Sequence, residues 1–411
     1  MKTKPHDSRT ILCLAGYLKG EEFLRECRAR GWRVALLTRE RLRHAAWPRD
    51  GVDALWTAPD KAEMEAWLHI VAEHARSQRI DRIVALEESD VVTAARIREH
   101  LCLPGMSSAT ARCFRDKLAM RTQARAGLGR DLRQPAFVSM INYQEIGEWL
   151  ERTPPPWMIK PRADASSIGI RKLSTPEEVW RIKDRLDARE SPRERASYYL
   201  LESHIPGDVY HVDALSVDGK VVFASTARYG TPPLTVTQQG GVSTSVTLDS
   251  KSAERRALLK INQTLLAQLG LSHGASHAEF IRSEADGAFY FLEVAARVGG
   301  AFTAEMVEAA TGVNLWREWA RIETAEPETP YRLPAVRREY GGLAVSLARM
   351  ESPDTAVFDD PEIVHRVQKP WHVGLVVRSP KRERVVELIE KYRTGFEAEF
   401  TAAAPQQERP D

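Results

Sequence analysis

His277-Ala278-Glu279-Phe280 and Phe291-Leu292-Glu293-Val294 are two apolar stretches, each carrying one carboxylate, with Asp286-Gly287 between them. The alternation reads as two strands, Ser276 to Arg282 and Phe289 to Val294, joined in a hairpin. With the turn centred on Asp286-Gly287, Glu279 and Glu293 fall opposite each other on one face, their Cβ atoms about 5 Å apart. Like charges in that relation destabilise a sheet, so a cation between them is a natural reason to keep both. Paired carboxylates suit Mg²⁺ that also touches substrate phosphates. The competing reading is a register in which the two do not face each other, or two solvated surface glutamates.

Working outward, Arg297-Val298-Gly299-Gly300 follows at once, setting a guanidinium and two unobstructed backbone amides beside the carboxylates. Arginine there suits a planar phosphate or carboxylate. Upstream, Lys160-Pro161-Arg162-Ala163-Asp164-Ala165-Ser166-Ser167-Ile168-Gly169 places a lysine at a strand end before small residues. Small side chains let backbone amides approach a polyphosphate, although the glycine-lysine-serine ending of a Walker loop is missing. Leu200-Leu201-Glu202-Ser203-His204-Ile205-Pro206-Gly207-Asp208 is an apolar strand entering a turn with a carboxylate at each end. Such a segment offers an adenine a backbone edge and a ribose a carboxylate; alone, it is also an ordinary strand and turn.

Before this lies an α/β alternation: a strand at Ile11 to Leu14, a helix at Glu21 to Arg30, a strand at Arg33 to Leu37, a strand at Ile83 to Leu86 and a helix at Val91 to His100. That pattern predicts a parallel layer, whose ligands sit at carboxyl strand ends, where Glu87 and Asp90 stand. A helical stretch is expected from Ser107-Ser108 through Arg125. Asn142 with Glu145, and Thr175-Pro176 with Glu178, carry helix-start signals. Strands are expected at Tyr198 to Glu202, Val209 to Ser216 and Lys220 to Ser225, the last two joined at Asp218-Gly219, and a helix from Ser252 to Leu269. Strands at Tyr340 to Met350 and His372 to Arg378 precede a final helix, Arg382 to Tyr392.

The 411 residues exceed one ordinary domain. The expected division is 1–106, a parallel α/β domain; 107–323, the domain holding the motifs above; 324–400, a small α+β domain; and 401–411, a disordered tail. With 59 basic and 57 acidic residues, no bulk charge points to nucleic acid. The four cysteines lack zinc-site or redox-pair spacing. The apolar stretch Ile11 to Ala15 is too short for a signal-peptide core or a membrane span, so a reduced, cytoplasmic protein without a membrane partner is expected.

In this order, over roughly Gly105 to Trp316, the motifs resemble the ATP-grasp superfamily, and the preceding α/β layer fits the pre-ATP-grasp domain found there. The resemblance implies ATP and Mg²⁺ as cofactors. It implies that Lys117, in Arg115-Asp116-Lys117, and Lys160 contact the phosphates, with Lys160 also catalytic. The loop Ala163 to Gly169, with Ser166, Ser167 and Gly169, would close over them, and Glu202, Ser203, His204, Ile205 and Asp208 would form the adenine and ribose hinge. Glu279 and Glu293 look like the Mg²⁺ ligands, and Arg297 like the catalytic arginine that steadies a phosphorylated carboxylate. Two departures stand out. The family often has Glu-x-Asn-x-Arg, where this chain has Glu293-Val294-Ala295-Ala296-Arg297, and Ala295 offers no ligand. The phosphate loop is richer in serine than in glycine.

Within the superfamily, Glu87-Glu88-Ser89-Asp90, Leu103-Pro104-Gly105, Arg115 to Arg121 and Glu293 to Gly300 look most like amino-acid ligases that make dipeptides or related amides. The implied reaction activates a carboxylate as an acyl phosphate and joins it to an amine, releasing ADP and phosphate. The partners would be a small carboxylate and an amine, and relatives are often homodimers. Candidate selectors of substrate are Arg228, Ser243, His273, Trp316 and the amides of Gly299 and Gly300, with Gln238 to Ser245 a polar loop near the pocket. A biotin-carboxylase-like enzyme is the nearest rival, although no biotinyl-lysine context is present. A non-catalytic ATP-binding subunit is the reading from outside enzymology.

Overall fold

The computed structural model describes residues 9–126, 132–164 and 168–402. The chain opens with β1 (Thr10–Ala15), α1 (Glu21–Ala29), β2 (Arg33–Arg39), β3 (Ala54–Ala58), α2 (Met64–Ala75), β4 (Arg82–Ala85) and α3 (Val91–His100). The four strands form a parallel sheet in the order β3-β2-β1-β4. Every residue of β1 is buried, as a continuous apolar run requires when both sheet faces are covered. The predicted parallel layer is therefore present. β3 and α2 are additions, since neither the short edge strand nor its helix carries a strong periodic pattern.

The helix expected from Ser107 to Arg125 is two: α4 (Ser108–Arg112) and α5 (Lys117–Ala126). Asp116 causes the break. Its carboxylate accepts the amides of Leu118 and Ala119 at 3.0 and 3.3 Å, which caps a new helix start. The Lys117 amide, orphaned by that start, donates to Arg162 O at 2.6 Å.

Next come β5 (Phe137–Ser139), α6 (Tyr143–Arg152), β6 (Trp157–Pro161), β7 (Arg171–Leu173), α7 (Pro176–Asp187) and β8 (Tyr199–Ser203). Their antiparallel sheet runs β5-β8-β6-β7 over its own core, which includes Ile146, Trp157, Val179 and Leu201. Both helix starts follow the sequence signal. Asn142 accepts the Glu145 amide and Thr175 the Glu178 amide, with Pro176 in the first turn.

The remaining elements are β9 (Gly207–Val217), β10 (Lys220–Tyr229), α8 (Pro233–Gln239), β11 (Ser243–Thr247), α9 (Ala253–Leu269), β12 (Gly274–Ser283), β13 (Phe289–Ala295), α10 (Thr303–Thr311), α11 (Leu315–Glu323), β14 (Tyr340–Leu347), β15 (Ile363–Arg366), β16 (His372–Ser379) and α12 (Arg382–Glu399). The eight strands build one sheet, β13-β12-β9-β10-β11-β14-β16-β15. The strands expected near the C-terminus thus extend the sheet that carries the paired glutamates, through β11 and β14. Leu12 and Trp56 of the parallel layer share a core with Tyr210, Leu265 and Phe280, so the first layer is welded to the large sheet. From residue 403 onward the expected tail lies outside the described residues.

Candidate active site

β12 and β13 pair with Glu279 directly opposite Glu293. The register depends on a bulge: Phe280 faces Phe291, so Leu292 is the extra residue. Without that bulge Glu279 would face Leu292, and Glu293 would turn to the other side of the sheet. A bulge leaves backbone groups unpaired, and here the Leu292 carbonyl accepts from Arg121 Nη2 at 2.5 Å. One turn earlier on α5, Lys117 Nζ lies 3.0 Å from Glu293 Oε2 and donates to Asp164 O at 3.0 Å. Desolvation raises the Glu293 pKa, but the Lys117 ammonium outweighs it and holds the carboxyl below its ordinary value. Glu279 accepts from the Tyr229 hydroxyl at 3.0 Å.

Behind these glutamates is a buried network that the sequence reading missed. His211 Nδ1 lies 2.7 Å from Asp213 Oδ2, and His277 Nδ1 lies 2.8 Å from Asp213 Oδ1. His211 Nε2 reaches Ser245 Oγ at 2.8 Å. His277 Nε2 is 3.5 Å from Glu279 Oε1 and 3.5 Å from the Tyr229 oxygen. Burial lowers the His277 pKa, yet Asp213 and then Glu279 overcome it and lift the imidazole to about 10. The Asp213 carboxyl, opposed only by burial, is held far below its ordinary range by the two histidines. A signal existed in the alternation of Val209, His211 and Asp213 against Tyr210, Val212 and Ala214, which aims two polar groups at the face of Glu279. Gly299 closes the back of this network: a Cβ there would meet Asp213 Oδ1 at 2.6 Å and His277 Nδ1 at 2.9 Å. At Gly300 the same atom would meet nothing within 4 Å. Two facing carboxylates are a set of hard oxygen donors, and these residues fit a divalent cation such as Mg²⁺.

Arg297 is anchored in the parallel layer. Its Nε and Nη2 donate to Glu88 Oε2 at 3.1 and 2.7 Å, and Nη1 to Val298 O at 2.9 Å. Glu88 also receives Arg115 Nη1 at 3.0 Å, and its neighbour Glu87 pairs with Lys19. Burial raises both carboxyl pKa values. The surrounding cations win: Arg297 and Arg115 hold Glu88 down, and Lys19 with Arg297 holds Glu87 down. Glu87 and Glu88 follow the end of β4, the carboxyl-end position expected of a parallel sheet. Asp90 turns away from this cluster, accepting the Gly16 amide at 2.6 Å.

On the small sheet, Lys160 Nζ lies 2.7 Å from Glu202 Oε2, and Arg121 Nε donates to Glu202 Oε1 at 2.7 Å. Glu202 is 1% exposed, so its side chain is an internal counter-ion and does not reach out for a ribose, as the sequence reading had it. Desolvation works against its charge, but Arg121 and Lys160 bring its pKa down to about 2. The amides of Ser203 and His204 are spent on Ala136 O and Pro156 O, and Ser203 Oγ accepts from the Ala136 amide. The His204 ring is half-buried, and desolvation followed by Lys172 and Lys160 lowers its pKa. Ile205 follows in the turn into β9. Gly169 has φ +72°, and a Cβ there would crowd Pro161 at 2.8 Å. Ser166 and Ser167 lie outside the described residues.

Other expected residues are not brought to this place. Asp208 and Arg228 pair with each other at 3.1 Å and, by strand alternation, lie on the face opposite Glu279 and Tyr229. His273 stands 3.2 Å from Asp218 at the turn between β9 and β10. Six residues of extended chain separate it from Glu279, about 20 Å. Trp316 packs against the core and stacks on Trp319. The expected loop Gln238 to Ser245 is instead the end of α8 and the start of β11, because Ser243 to Thr247 pair with β14 and β10. Ser243 shares the face of Ser245, which touches His211.

A sheet bearing facing glutamates, covered by a small antiparallel sheet with its own lysine, is the ATP-grasp fold, and residues 153–305 match the family described as an ATP-grasp domain. Over 273 residues the chain is 21% identical to the L-arginine-specific L-amino acid ligase of Bacillus subtilis, an alignment covering 66% of this chain and 64% of that protein, a little under two thirds of the relative. The solved structure of an L-amino acid ligase from Bacillus licheniformis superposes with a TM-score of 0.75 at 17% identity, over 96% of this chain and 98% of that one. The biotin carboxylase domain of Hydrogenobacter thermophilus 2-oxoglutarate carboxylase, solved with MgADP and bicarbonate, gives a TM-score of 0.69 at 15% identity, over 97% and 92%. At these identities the two structures show a shared fold.

Proposed function

We propose that this chain is an ATP-dependent carboxylate–amine ligase that joins amino acids through an acyl phosphate. The observation that carries the reading is the facing pair Glu279 and Glu293, with Lys117 3.0 Å from one of them. Phosphoryl transfer needs positioning and charge neutralisation rather than a protein nucleophile, and Lys117, Lys160 and Arg297 supply the positive groups. Mg²⁺ bound at the glutamates would add charge neutralisation at the phosphate oxygens.

A substrate carboxylate oxygen attacks the γ-phosphorus, and ADP leaves. The ammonium group of the second substrate gives one proton to solvent and attacks the acyl carbon as the free amine; the C–O bond to phosphate breaks and the nitrogen releases a second proton, leaving an amide and inorganic phosphate. Arg297 is held by Glu88, three residues before the open Gly300, and its role in this reading is to meet the charge that develops on the acyl group. Lys160 is oriented by buried Glu202, 2.7 Å away.

The test is release of ADP and phosphate from Mg-ATP with the twenty amino acids, singly and in pairs, followed by mass spectrometry. Release that needs a pair, with a product mass equal to the sum less water, supports the ligase. Release driven by bicarbonate alone, or ATP binding with no turnover across the panel, overturns it.

A further inference from the structure

Tyr229 stands at the end of β10, two strands away from Glu279, and its side chain crosses the intervening β9 to reach it. Two strand spacings are about 10 Å, a span that takes a long side chain from one strand and a glutamate from the other. The tyrosine ring lies against His211, with centroids 4.7 Å apart, and its partner across the ladder, Ser245, touches the same imidazole. From this support the hydroxyl donates to Glu279 Oε1 at 3.0 Å. His277 Nε2 approaches that same oxygen at 3.5 Å. Among the described residues, both side chains that approach this carboxylate do so at Oε1, and none bonds to Oε2. The two oxygens of Glu279 are therefore unequal: the protein occupies one and leaves the other for a ligand.

We propose that Tyr229 is a positioning residue that limits Glu279 to one metal-binding oxygen, Oε2, and that the site thereby selects Mg²⁺ against Ca²⁺. The inference rests on the reading of Glu279 and Glu293 as the cation's carboxylates. Mg²⁺ demands a near-ideal octahedron at short distance and takes one or two carboxylates together with phosphates and water. The two oxygens of a single carboxylate lie too close together to fill adjacent corners of that octahedron, so Mg²⁺ needs only Oε2. Ca²⁺ is larger, collects about six to eight oxygens, and accepts a carboxylate through both of them. An oxygen already accepting from Tyr229 is turned away from the cation, so Ca²⁺ loses a donor that Mg²⁺ does not use. The same hydrogen bond fixes the direction in which Oε2 points, as outer partners of metal ligands do.

The test is calorimetry of ADP binding to the full chain with Mg²⁺, with Ca²⁺ and with EDTA, for wild type and for Tyr229→Phe, which removes the hydroxyl and keeps the ring against His211. Wild type is expected to bind ADP more tightly with Mg²⁺ than with Ca²⁺. In Tyr229→Phe the Mg²⁺-dependent increase in affinity is expected to fall about 10-fold while the Ca²⁺-dependent increase holds or rises, with binding in EDTA and the melting temperature unchanged. A merely structural role would weaken both ions alike. Equal weakening, an unaltered ratio, or a wild type that does not prefer Mg²⁺ overturns the inference; the carboxylate reading still stands in those cases if Glu279→Gln abolishes the metal-dependent increase. Should Tyr229→Phe fail to fold, infrared difference spectra of wild type with ADP, with and without Mg²⁺, decide the matter. Widely split carboxylate stretches of a one-oxygen ligand, absent from Glu279→Gln, are expected, and the narrow splitting of a two-oxygen ligand overturns the inference. Absence of any metal-dependent ADP binding by wild type overturns both readings.

Discussion

Glu202 is a buried carboxylate whose partners are two cations from different elements. It is wrapped by Arg121 and Lys160, each 2.7 Å away. Its pKa is depressed from 4.5 to about 2, so its charge stabilises the fold fully above pH 4.5, and that contribution is lost as the pH falls toward 2. Glu202→Gln is therefore expected to lower the free energy of unfolding near neutrality. The gap from wild type should narrow as the pH falls from 4.5 toward 2, measured by urea titration at each pH. A gap that stays constant over that range contradicts the assignment. The sequence places Glu202 at the right strand end, yet its role is invisible there. What decides it is Arg121, 81 residues away, reaching it through the interior.

At the scale of elements, the bulge in β13 and the face of α5 act together. Lys117 and Arg121 are four residues apart and so share a helix face, from which one reaches Glu293 and the other the Leu292 carbonyl. Arg121→Met strips that carbonyl of its donor and leaves Glu202 with one cation, so a loss of about 3–5 kcal/mol is expected by urea unfolding. Replacing both, Arg121→Met with Glu202→Met, should regain only part of that stability, because buried Lys160 then loses its counter-ion. Metal-dependent ADP binding should not return, since the bulge still lacks its donor. A single variant as stable as wild type would contradict this account.

The same elements mark where sequence reading succeeds. Helix starts at Asn142 and Thr175 are local chemistry, written within four residues, and both are found. That Glu279 and Glu293 share one hairpin is local, whereas their facing each other depends on the bulge at Leu292, which is not readable without Arg121. The break before Lys117 was missed because a capping aspartate inside a helical pattern resembles any other polar residue. Arg228 and His273 lie away from the paired glutamates because strand parity and length carry them elsewhere, which their chemistry alone does not reveal.

Across the whole molecule, Arg297 follows β13 while its anchor, Glu88, follows β4 of the parallel layer. Glu88 holds Arg297 and Arg115 together, and the shared core of Leu12, Trp56 and Phe280 keeps the two layers in fixed relation. Glu88→Gln is expected to leave ADP binding nearly unchanged but to reduce turnover of the ligase about 100-fold, because a guanidinium misplaced by about 1 Å loses its alignment. Equal losses in binding and turnover would place Glu88 in a different role. No described helix is long and apolar enough to cross a membrane. In the proposed reaction ATP activates a carboxylate by phosphorylating it. The most direct measurement follows ¹⁸O from the labelled carboxylate of the acid substrate during turnover. One labelled oxygen is expected in the released inorganic phosphate, with ADP as the nucleotide product; label found only in the amide and residual acid, or AMP in place of ADP, would contradict the account.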